Sequence, residues 1–141
     1  MDQNLGKNII VDLVQVPIAA GQTDPDSSSV DMAGFESVMF IGTIGLQTAT
    51  GVASIQAAGS ANDSSFDDIS GAVATGPANS DNKLLILDIV KPLDRYIRTT
   101  LTQTVDDTTW SGTIAIRYNG RKPPFTSNDL AVAMVTVIGG A

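Results

Sequence analysis

Histidine and cysteine are both absent from this 141-residue chain, and glutamate occurs once. The first absence removes the side chain most used to move protons near neutral pH. The second removes the thiolate nucleophile and, with histidine, the usual ligands of zinc, copper and iron. It also excludes disulfides, so no covalent staple holds the fold. Aromatic residues make up only 5% of the chain, which leaves the core to Val, Ile, Leu, Ala and Met. No apolar run reaches the ~20 residues of a membrane helix. Ile9 to Ala20 is apolar and ends in Ala-Ala-Gly, but Asp12 interrupts it, and it reads as a strand rather than a targeting segment.

What is present is a 43% apolar chain organised in short Val/Ile/Thr-rich runs. At this length a single domain is expected, burying roughly two-thirds of the surface that the unfolded chain exposes. Strands are predicted at Asn8 to Pro17, Phe35 to Gly42, Gly51 to Ala58, Lys83 to Val90, Arg95 to Thr104, Thr113 to Asn119 and Leu130 to Ile138. Phe35 to Gly42 is apolar on both faces, which fits a central strand. Ser64 to Ile69 reads as a short strand or one helical turn. Gly71 to Asn82 reads as a small, polar segment turning at Gly76-Pro77, and Val105 to Gly112 as a hairpin loop with Trp110 near its tip. Turn signals recur every 8–12 residues, the spacing of β-sandwiches. The expected fold is all-β: an antiparallel two-sheet sandwich, jelly-roll-like, with about seven to eight strands. One domain spans 1–141, with extended arms at 1–8 and 136–141.

The net charge is −7, unevenly spread. Residues 1–82 hold ten acids against Lys7, and residues 83–141 hold seven bases against five acids. An acidic chain is repelled by free nucleic acid, so general DNA binding is not expected. Lys91, Arg95, Arg98, Arg117, Arg121 and Lys122 fall in two segments that read as paired strands and their flanking turns. Two readings stay open for them: a solvated face offsetting the acidic half, or an intersubunit or partner-docking patch. Trp110, the single tryptophan, is a further candidate contact.

Fourteen aspartates cluster in turns, as at Asp24 and Asp26, at Asp63, Asp67 and Asp68, and at Asp106 and Asp107. Aspartate favours turns because it bonds nearby backbone N–H groups. A calcium site is the competing reading, although no EF-hand spacing occurs. Glycoside hydrolysis by paired carboxylates would need a cleft with stacking aromatics, which the chain hardly supplies. No nucleophile elbow or P-loop occurs, and no histidine activates Ser27 to Ser29. Neither catalysis nor a cofactor is expected.

Three stretches resemble a known class of protein. They are Gly34-Phe35-Glu36-Ser37-Val38-Met39-Phe40, then Asp94-Arg95-Tyr96-Ile97-Arg98, then Ala115-Ile116-Arg117-Tyr118-Asn119-Gly120-Arg121 with prolines close behind. Together, over roughly residues 30 to 125, they resemble small β-rich structural proteins of tailed bacteriophages, the head decoration or cement proteins. The resemblance implies a protein made in the host cytoplasm and located on the virion capsid surface. It also implies the major capsid protein as partner, self-association as a homotrimer, and no membrane partner. No catalytic residue comes with it. A tail or head–tail connector component, or a glycan- or calcium-dependent adhesion module, are the alternatives.

Overall fold

The structure is a computed structural model that describes residues 5–21, 24–48, 50–104 and 107–121. A 3-10 turn at Leu5–Lys7 precedes eight strands. They are β1 (Ile10–Gln15), β2 (Val30–Asp31), β3 (Phe35–Gln47), β4 (Val52–Ser60), β5 (Asp67–Thr75), β6 (Leu84–Val90), β7 (Tyr96–Thr104) and β8 (Thr108–Gly120). The expected strand Leu130 to Ile138 and the arm at 136–141 lie outside the described residues, as do residues 1–4 of the N-terminal arm.

Two antiparallel four-stranded sheets pack face to face, in the orders β1-β8-β3-β6 and β2-β7-β4-β5. The ladders β1·β8, β2·β7, β3·β6 and β4·β5 alternate between the sheets. A long hairpin folded at β4–β5 and rolled up on itself gives this order, which makes the sandwich a jelly roll. β3 lies between β8 and β6, in the central position its two-sided apolar pattern predicted.

Period-2 alternation selects the inward residues. Ala53, Ile55 and Ala57 of β4 are fully buried, as are Val38 and Phe40 of β3 and Ile97 and Leu101 of β7. Leu85, Leu87 and Ile89 face inward from β6, while Leu84, Ile86, Asp88 and Val90 alternate with them and face out.

Two sequence expectations fail in this region. Residues 71–75, read as part of a small, polar segment, belong to a strand: β5 runs from Asp67 through Gly71 to Thr75, pairing with β4 across a register shift between Gln56 and Ala58. Nor is Trp110 at a loop tip. It lies within β8, pairs with Ile44 and is 1% exposed.

The reason is a β-bulge that reads like a turn in sequence. Thr43 faces Gly112 and Ile44 faces Trp110, so β8 carries Ser111 as an extra residue. Before the bulge, Thr108 and Trp110 point inward; after it, Thr113 and Ala115 do. One inserted residue thereby puts both halves of a 13-residue strand in register with a single core.

Gly112 makes the bulge feasible. Its φ is +115°, and a Cβ there would meet the Gln15 carbonyl oxygen at 3.0 Å. Gly112→Ala should therefore cost about 1–3 kcal/mol. Urea unfolding measures this, and an unchanged midpoint would contradict the account.

Candidate functional site

The structure separates the two basic segments. The arginine segments are not paired strands, because β7 and β8 lie in different sheets of the roll. Each of the three central arginines instead meets an aspartate from the N-terminal half, on or beside the strand it pairs with. Arg95 forks onto Asp31, with Nε–Oδ1 and Nη2–Oδ2 both at 2.9 Å, and lies over the Tyr96 ring. Arg98 reaches Asp26 at 3.2 Å and stacks on Phe66 at 4.1 Å. Arg117 reaches Asp12 at 2.9 Å and donates to the Asp31 carbonyl at 2.9 Å, with its guanidinium 5.1 Å from the Phe35 ring centroid. Three acids of the N-terminal half are thus paired with arginines of the C-terminal half, by the same folding-back that pairs β1 with β8 and β2 with β7. Lys91, at a positive-φ turn, and Arg121 are exposed at the ends of β6 and β8. Lys122 lies outside the described residues.

Asp31 shows what these pairs do. The Arg95 hydrogen bonds hold its carboxyl below the ordinary value of 3.8, against a smaller upward push from burial. It also accepts the Ala33 N–H at 2.9 Å, closing the turn into β3. A depressed folded value means that the stabilisation is complete above the ordinary value and is lost as pH falls through the folded one. Thermal melts against pH should therefore show the wild type converging on Asp31→Asn below about pH 4. A gap between them that persists into stronger acid would refute this linkage.

Several other loop aspartates bond across the fold and not within their own turns. Asp63 accepts from Ser29, Asp81 from the Gln47 N–H at 2.7 Å, and Asp26 from Thr100 at 2.6 Å. Among the described residues no three carboxylates converge as a metal-holding group. Trp110, the ring on which a glycan reading rested, belongs to the core and is not offered to solvent.

The feature that sequence reasoning did not isolate is the outward face of the sheet β1-β8-β3-β6. Register places Ile86, Ile41, Ile114 and Leu13 opposite one another across all four strands. The next row is Asp88, Met39, Ile116 and Val11. Leu13, Leu84, Ile86 and Val90 expose 45%, 55%, 53% and 62% of their surface. Asp88, the acid within these rows, accepts the Tyr118 hydroxyl at 2.5 Å. Burial first, and then this bond, raise the Tyr118 pKa above its ordinary value. At one end the face runs into a shallow groove where Leu5 and Ile9 join Met39, Ile116 and Tyr118.

The outward face of the other sheet is different. Ser54, Gln56, Arg98, Thr100 and Thr102 populate it. The signal for the apolar face was in the sequence: β3 and β6 are apolar at both parities, and β8 adds Ile114, Ile116 and Tyr118 on the side opposite its core residues. That is more than a two-layer sandwich buries.

Among the described residues no helix is long and apolar enough to cross a membrane. No protein-family model matches the chain, and no curated protein matches it in sequence.

Proposed function

We propose that this chain is a non-catalytic structural protein that works by adhesion, as a decoration or cement protein on a virus head. The observation that carries the reading is the aliphatic row of Ile86, Ile41, Ile114 and Leu13, displayed in register on one outer face of a rigid sandwich. Exposed apolar surface of this extent marks interaction sites. The rest of the molecule supports the same role. Its central arginines are neutralised internally, so they stiffen the fold instead of recruiting anionic ligands. Its net charge of −7 keeps copies in solution and away from packaged genome. Weak contacts suffice in such a role, because many copies act together on a symmetric shell. Jelly rolls also serve as lectins and enzymes, so the fold alone does not decide.

The test is made on particles. Heads carrying the protein should retain their genome to a higher temperature than heads stripped of it, and adding purified protein back should restore the difference. Equal release temperatures, or a failure to bind heads, would defeat the proposal.

A further inference from the structure

The apolar sheet face sets limits on what covers it. Four strands at ~4.8 Å spacing and seven residues at ~3.4 Å rise make it roughly 19 by 24 Å, about 450 Å² in plan. Two such faces in contact remove on the order of 1,000 Å² of accessible surface, which meets the minimum for a biological interface. The face offers almost nothing for a charged partner to read, because Asp88 is occupied by Tyr118. Its occupant must therefore be flat, aliphatic and uncharged over a similar area.

The chain supplies one such surface itself, and its charge is distributed to permit the contact. Asp31, Asp67 and Asp68 lie on strands of the opposite sheet, and Asp24, Asp26 and Asp63 in loops bonded to it or joining its strands. A molecule of net charge −7 can approach its own kind through a face whose two rows carry a single acid, Asp88.

We propose that the outward face of β1-β8-β3-β6 is covered by the same face of a second copy, related by a twofold axis. The two sheets pack as the two layers within each sandwich do, ~10 Å apart, with Ile41, Ile86 and Ile114 interdigitating with their counterparts. The assembly is a four-layer particle with a polar sheet on each outside. This contact uses the face on which the adhesive reading above rests, so a free dimer must open before that face meets a head; the dimer concerns the free protein and is tested without heads.

Sedimentation of the full chain at micromolar concentrations should give twice the monomer mass. Ile86→Lys and Leu13→Lys, at opposite edges of the face, each place two charges in the contact and should weaken association by at least ~100-fold. Both side chains point outward, so circular dichroism and melting should still report a folded monomer. Thr102→Lys, on the polar sheet, should leave the mass unchanged.

Three results would overturn the proposal: a monomeric wild type, a trimeric mass, or a dimer indifferent to Ile86→Lys and Leu13→Lys. In a monomeric wild type, a soluble paramagnetic probe tells what replaces the second copy. Shielded methyls of Ile41 and Ile114 would mean that the chain covers the face itself; bleached methyls would mean a partner not yet present. Either outcome leaves head binding to be judged on particles.

Discussion

Replacing Trp110 with alanine should cost about 3–5 kcal/mol of folding stability, the range for deleting a large buried aromatic side chain. The indole is 1% exposed and stands in the core cluster with Phe40, Ile44 and Ile55. Domains of this size are stable by only about 5–15 kcal/mol, so the loss takes a fifth or more of the total. Trp110→Phe should cost much less, about 1–2 kcal/mol. Among the described residues the indole Nε1 has no hydrogen-bond partner, so phenylalanine removes a buried donor along with the volume. Urea unfolding followed by circular dichroism compares the two. Equal losses would mean that the N–H is paired after all; a small loss for alanine would remove Trp110 from the core.

The second large effect is expected at Arg117. Its guanidinium joins Asp12 of β1, the Asp31 carbonyl at the end of β2 and the Phe35 ring, at the end of the sandwich where both sheets meet. The side chains of Arg117 and Asp12 are only 17% and 16% exposed. Arg117→Ala therefore leaves a largely desolvated carboxylate alone, at a cost of about 3 kcal/mol. Asp12→Ala together with Arg117→Ala should cost less than the sum of the single changes, and that difference is the coupling. Arg117→Lys should not rescue stability, since one ammonium cannot reproduce the fork or the ring contact. Additive single effects would show that the two side chains do not depend on each other.

Much of the fold is legible from local pattern. β4 announces itself through Ala53, Ile55 and Ala57 alternating with Ser54 and Gln56, and β3 through apolar residues at both parities. The errors share one cause, which is that local signals do not tell interruption from irregularity. Gly112 beside Ser111 reads as a turn, yet it is a bulge inside β8. Gly71 likewise reads as the start of a small, polar segment and lies within β5.

The arginines were recognisable as a group, but their partners lie 64 to 105 residues away, fixed by the roll and not by any nearby spacing. The adhesive face was half visible. Ile114, Ile116 and Tyr118 on one side of β8 were evident; their alignment with Ile41, Ile86 and Leu13 needed the registers of three ladders.

The nested ladders carry a consequence for how the molecule comes into being. β1 finds its place only against β8, the last described strand, so the first sheet stays incomplete until nearly all described residues are available. β4 with β5 closes the shortest loop and is the natural starting point. Each later pairing, β3 with β6, then β2 with β7, then β1 with β8, spans a gap that the previous one has already narrowed. A chain so wound matures from its middle outward, over milliseconds to seconds. Its aliphatic outer surface reaches full width only at the last closure, when β1 brings Leu13 alongside Ile114.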